Sequence, residues 1–162
     1  MPLALCCTRK SNRFGYDPKW DLATYIYNNE IGKKVFAHLK KEKKLTVCES
    51  GFGLRGGDKI RCMHCGFDYF NEITIIEARE LVMETANLYL KVINENEKIR
   101  SFLEKYPFGP DDIEIRFFLF NSDGSNPSLD RLQAISIVEP ISVKFFVEFL
   151  DYFGRFSILF VG

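Results

Sequence analysis

The stretch Thr74-Ile75-Ile76-Glu77 followed by ARELVMETANLYLKV constrains this chain more than any other. Thr four residues from the apolar run and Glu three residues after it form a capping box, in which the hydroxyl and the carboxylate each satisfy an otherwise orphaned backbone N–H. Behind it Ala78, Leu81, Val82, Thr85, Leu88, Tyr89 and Val92 recur at helical spacing, with Arg79, Glu80, Glu84, Asn87 and Lys91 mainly elsewhere. The spacing predicts an amphipathic helix of about five turns. It restarts through residues 97–105 and is stopped by Tyr106-Pro107-Phe108-Gly109-Pro110. A helix with one apolar face must be laid on something, so the rest of the chain has to supply a matching surface.

Upstream, Asp17-Pro18 is a helix start, and Trp20, Tyr25, Ile31, Val35, Phe36 and Leu39 supply apolar positions, with Gly32 as a break between two short helices. The run of lysines in residues 40–44 suits a solvated helix C-terminus. Residues 45–49 read as a short strand, 50–58 as a turn and 59–70 as a second strand. In that strand Ile60, Cys62, His64 and Gly66 fall on one face, and Arg61, Met63, Cys65, Phe67 and Tyr69 on the other. Residues 113–120 end in a continuous apolar run, as expected of a central strand covered on both faces. A polar turn, NSDGSNPS, leads to another strand at 132–138. The expected fold is α+β: a mainly antiparallel sheet with the long amphipathic helix and the N-terminal helices packed on one face.

The Phe-rich segment 141–162 reads as one more helix, because Lys144, Glu148, Asp151 and Arg155 are spaced 4, 3, 4 and would form one charged stripe. Phe145, Phe146, Phe149, Leu150, Tyr152, Phe153 and Phe156 would surround it, packing into the core or facing a partner groove or a membrane interface. With 162 residues, 46% of them apolar, the chain fits one domain, 17–162, behind a flexible segment 1–16.

Twenty-two basic and twenty-two acidic residues cancel, so no net field favours nucleic acid. Five cysteines, an odd number at positions 6, 7, 48, 62 and 65, point to reduced thiols rather than a disulfide framework. Leu3-Ala4-Leu5-Cys6 resembles the end of a lipoprotein signal, with Leu5 in place of the usual small residue; Cys6 would then be a lipidation site of an envelope-associated protein, the alternative being a cytoplasmic protein with a frayed terminus and two inert thiols.

Two motifs fail on context. Gly51-x-Gly53-x-x-Gly56 carries the letters of a nucleotide loop, but a strand follows where a dinucleotide site needs a helix. Residual phosphate binding at glycines 51–57 would use Arg55 and Lys59. Cys62-x-x-Cys65 lies in a strand, where residues three apart point to opposite faces and could share an ion only if the strand broke into a knuckle. His38 and His64 have no spaced partner, and Asp111, Asp112, Glu114 and Asp123 read as a solvated strand entrance. No catalytic constellation, metal site or cofactor is implied.

The strings ITIIEARELV and VINENEKIRSFLEKYPFGPDDIEIRFFLFNSDGS resemble a family of bacterial proteins without an established activity, from chlamydia-like and other intracellular bacteria. The resemblance covers roughly residues 45–125 and rests on Asn94, Asn96, Lys98-Ile99-Arg100, Tyr106-Pro107-Phe108 and Ile113-Glu114-Ile115-Arg116. It implies one domain, an export or lipoprotein-type start, and a polar C-terminal continuation in place of which this chain has EPISVKFFVEFLDYFGRFSILFVG. Arg79, Arg100 and Arg116, which stand in these strings, are candidate ligand-binding residues, with ion pairs to Glu77, Glu97 or Glu114 as the alternative. The expectation is a non-catalytic, envelope-associated interaction protein with a protein partner and membrane contact through Cys6 or the C-terminal segment. The competing expectations are a small enzyme or ligand-binding domain with an anion site at the glycine loop, and a metal-binding regulator.

Overall fold

The computed structural model describes residues 18–55, 58–128, 132–138, 142–150 and 156–160. Cys6, Cys7, Gly56, Gly57, Asp151 and Arg155 lie outside them, and so do the expectations attached to them. A six-stranded sheet in sequence order carries its helices on one face. Four of its pairings are antiparallel and one, β2 with β3, is parallel, so the chain is α+β as expected.

The N-terminal helices are one continuous rod. α1 (Lys19–Ile26) runs through a π-helical turn, Tyr27–Gly32, directly into α2 (Lys33–Lys43). Gly32 therefore does not break the helix. Its missing side chain leaves room for Phe36, since a Cβ there would lie 2.8 Å from Phe36 Cε2 and 3.2 Å from Tyr27 O. Phe36 meets Phe67 edge-on across the core. The rod ends at Lys44, in the left-handed region at φ 58°, behind three lysines that complement the helix dipole.

β1 (Thr46–Arg55) and β2 (Lys59–Tyr69) form an antiparallel hairpin. The expected turn over 50–58 is too long: β1 continues through Gly51 and Gly53 to Arg55. Two bulges interrupt the register. Cys48 has no partner between Val47↔Phe67 and Glu49↔Gly66, and Arg61 has none between Gly53↔Cys62 and Leu54↔Ile60. The second bulge turns Ile60 into the core beside Met63, Cys65 and Phe67, whereas strict alternation had placed it opposite them.

α3 (Ile75–Glu95) carries the capping box as read: Thr74 N donates to Glu77 Oε2 at 2.8 Å and Glu77 N to Thr74 Oγ1 at 3.2 Å. It buries Ala78, Leu81, Val82, Thr85, Ala86, Tyr89, Val92 and Ile93. After a one-residue break, α4 (Glu97–Arg100) is capped by Asn96, whose Oδ1 accepts from Ile99 N at 3.0 Å. The helix makes the crossover that lets β3 (Ile113–Leu119) lie parallel to β2.

β3 is central, between β2 and β4 (Leu132–Val138), but it is not covered on both faces. Ile113, Ile115, Phe117 and Leu119 are buried under the helices, while Glu114 and Phe118 are half-buried and Arg116 is exposed on the other side. The tail corrects the sequence reading further. Residues 142–150 form β5 (Ser142–Leu150) and 156–160 form β6 (Phe156–Phe160), so Lys144 and Glu148 lie on a strand and not on a helix. A spacing of four satisfies a period of two as well as one of 3.6, so Lys144 and Glu148 did not discriminate. The alternation of Val and Phe, with their high strand propensity, wins once β4 offers an edge.

One core joins these elements, from Ala23 in α1 to Ile135 in β4, with Tyr27, Tyr89, Phe67 and Phe117 its largest fully buried members. α2 packs over β1, and α3 over β3 and β4. Among the described residues no helix is long and apolar enough to cross a membrane.

Candidate functional site

Two glycines of the hairpin, Gly51 in β1 and Gly66 in β2, make room for side chains laid across it. Gly51 is the register partner of His64, and a Cβ there would come within 2.9 Å of the imidazole Cε1. Gly66 is the partner of Glu49, and a Cβ there would lie 2.4 Å from Glu49 Cγ. The glycines thus seat a histidine ring and a carboxylate stem flat on the helix-free face, the use of glycine where another group approaches closely.

The five candidate cations do not converge. Arg55 and Lys59 are register partners at the hairpin tip, and Lys59 Nζ donates to Ser101 O at 2.6 Å. That contact brings them near Arg100, whose guanidinium stacks 4.1 Å from the Tyr106 ring centroid. Arg79 is exposed near the start of α3, at the other end of the sheet. Arg116 sits on the helix-free face, where it donates to Glu114 through Nε at 3.0 Å and through Nη2, and reaches Glu49 at 3.3 Å. Both carboxylates and the guanidinium are partly exposed, and the Glu114 hydrogen bond holds Arg116 more firmly protonated than usual.

Most residues behind the family resemblance turn out to be staples. Asn94 grips Phe108 through both ends of its amide, Nδ2 to O at 2.9 Å and Oδ1 from N at 2.8 Å, and its own carbonyl accepts from Tyr106. Asn96 and Lys98 both hold Glu30 of the π turn, at 3.0 and 2.7 Å. Asp112, nearly buried, accepts from Gly109 N at 2.7 Å and pairs with Lys105 at 3.0 Å.

Cys65 is buried under the helices, and Cys62 is half-buried on the opposite side of β2. Burial raises the Cys65 thiol well above its usual range. Beside it lies a pair that spacing did not reveal. The Tyr27 hydroxyl donates to His64 O at 2.9 Å and sits 2.8 Å from the Tyr89 hydroxyl, both tyrosines being raised by burial. Among the described residues no group of three His, Cys, Asp or Glu side chains is placed to hold a metal ion.

Two surface features remain. The first is a cavity of about 460 Å³ between the end of α2 and the start of α3, lined by Glu42, Glu72, Glu77, Glu80 and Glu84 with Lys43 and Lys44. Three of its five acids have local duties: Glu77 serves the capping box, Glu84 pairs with Lys43, and Glu42 with Lys41. The second is an apolar line on the exposed side of α3. Glu84 and Glu95 mark the α2 side through Lys43 and Lys34. Ile76, Met83 and Leu90, seven apart, follow one line along α3 outside its buried stripe. Ile76 is 71% exposed and Met83 55%. The sequence signal for this flank was present, but the first-turn Ile76 and the lone Met83 lie off the core stripe.

Comparison with protein-family models, with curated proteins and with solved structures found no match.

Proposed function

We propose that this protein works without catalysis, as an interaction domain that docks an amphipathic helix of a partner protein beside α3. The observation that carries this reading is the exposed pair Ile76 and Met83, two turns apart on α3. Helices pack about 10 Å apart and strands about 4.8 Å, so two helices cover roughly four strands. Here α2 and α3 pack over β1, β3 and β4, and the sheet continues by two more strands. Two further strands are about wide enough to underlie one more helix. Recognition of a helix through apolar anchors a turn or two apart is a recurrent mode of peptide binding. The balanced net charge and the absence of a basic excess favour a protein over an anionic bilayer.

Site-specific photo-crosslinking in the native cell tests it. A benzoylphenylalanine at Ile76 or Met83 is expected to capture one protein through a helical, amphipathic peptide. The same probe at Glu80, on the α2 side, is expected to capture none. Equal labelling from all three positions, or none, overturns the reading.

A further inference from the structure

The two edges of the sheet are built differently. β1 is guarded: it has a bulge at Cys48 and carries Glu49 and Arg55. Each of these features is a recognised way of preventing edge-to-edge pairing. β6 has none of them. Its five residues, Phe156-Ser157-Ile158-Leu159-Phe160, include no charge, Gly or Pro, and they pair with β5 without a register shift. Among the described residues nothing pairs with its outer edge.

We infer that β6 pairs antiparallel with β6 of a second copy of this chain, joining two sheets across a two-fold axis at Ile158. The sequence favours a copy over a foreign strand because its spacing is symmetric. Phe156 and Phe160 are equidistant from Ile158, so the axis places each Phe opposite the other copy's Phe, Ser157 opposite Leu159, and Ile158 opposite itself. An isologous interface requires this self-complementarity. The register also makes the junction continuous. Phe118, Ala134, Phe146 and Phe160 are successive Cα partners across β3 to β6. On the other side of the axis, Phe156 of the second copy and its own register partner Leu150 extend that row. Cross-strand aromatic pairs of this kind stabilise antiparallel sheets. With no net charge, two copies meet without long-range repulsion. This pairing rests on the β6 edge alone and stands apart from the helix site beside α3.

Light scattering on the full chain tests it. Ile158→Lys is placed for discrimination: within one chain its register partner is Glu148, which favours a lysine, whereas across the axis two lysines would face each other. The wild type is expected at about twice the 18.8 kDa chain mass, Ile158→Lys at the single-chain mass with an unchanged near-UV spectrum. An equimolar mixture of Ile158→Lys and Ile158→Glu is expected to regain the doubled mass. A wild type at single-chain mass at tens of micromolar, an Ile158→Lys protein that stays doubled, or a mixture of folded variants that does not associate overturns the inference. Should a variant fail to fold, hydrogen exchange of the wild type decides: protection of residues 156–160 must rise with concentration, and concentration-independent exchange counts against pairing.

Discussion

The side chain of Glu49 lies flat across Gly66, so close that a Cβ on residue 66 would sit 2.4 Å from Glu49 Cγ. This contact leaves the Glu49 carboxylate in reach of Arg116 at 3.3 Å, tying β1 to β3 over the strand between them. The clash would be with the stem of Glu49, not its flexible tip. Gly66→Ala is expected to destabilise the protein by about 1–3 kcal/mol, the usual penalty of overpacking. In the Glu49→Ala background the same substitution is expected to cost far less, a coupling that urea melts of the four-protein cycle measure directly. Equal costs in both backgrounds would show that Gly66 is there for another reason.

The Tyr27–Tyr89 hydroxyl pair makes an ordered pair of predictions. Removing the Tyr89 hydroxyl leaves Tyr27 still bonded to His64 O, so Tyr89→Phe is expected to cost about 1 kcal/mol. Tyr27→Phe strands both the His64 carbonyl and the Tyr89 hydroxyl and is expected to cost more, about 2–3 kcal/mol. The reverse order in thermal or chemical melts would contradict the assignment of Tyr27 as the central link.

What could be read from the sequence was what local chemistry decides alone. The capping box at Thr74 and the stripe through Tyr89 needed no tertiary knowledge, and the helix formed as its spacing required. The failures are places where a partner element decides. Lys144 and Glu148 suit either period, and only pairing with β4 selects the strand. Ile60 was assigned to the wrong face because a bulge at Arg61 shifts the alternation, and nothing in the letters announces it. Gly51 reads as part of a loop because glycine marks turns more often than seats for a ring. Of the candidate cations, Arg116 is held by carboxylates near in space, one of them, Glu114, only two residues away and the other, Glu49, visible only once β2 is placed between them.

Cys48 is exposed by its overall surface, yet its thiol is pushed up to about 12, first by withdrawal from water and then by the neighbouring Asp68. The thiolate is the reactive form, so little of it exists at pH 8. Alkylation of Cys48 by iodoacetamide, followed by mass spectrometry of its peptide, is expected to be on the order of a hundredfold slower than in the unfolded chain. Asp68→Asn is expected to speed it. A Cys48 that reacts as fast folded as unfolded would show that the bulge leaves its sulfur fully solvated.

Glu77 and Glu30 tie stability to pH. Hydrogen bonds from Thr74 hold Glu77 below its usual value of 4.5, and Lys98 followed by Asn96 does the same for Glu30. A carboxyl group depressed in the folded state stabilises above its unfolded value, and the effect is lost as pH falls through the folded one. Stability is therefore expected to decline as pH drops below 4.5, with Glu77→Gln and Glu30→Gln each flattening that decline. Acid titrations of melting temperature in which the variants keep the wild-type slope would remove these carboxylates from the account.

Asn94 offers the sharpest test of whether the family-like string is structural. Its amide satisfies both the N–H and the carbonyl of Phe108, anchoring the segment that leads through the Pro110–Asp112 turn into β3. Alanine would leave both backbone groups without that partner, and Asp would keep the acceptor while losing the donor. Asn94→Ala is expected to cost about 2–3 kcal/mol and Asn94→Asp about half as much, because each half-buried group left unpaired carries its own desolvation penalty. The fold should survive both, since Phe108 remains held by its apolar contacts in the core. Identical costs for the two variants in denaturant melts would mean that only one arm of the amide matters, and that the second bond is incidental to the packing of Phe108.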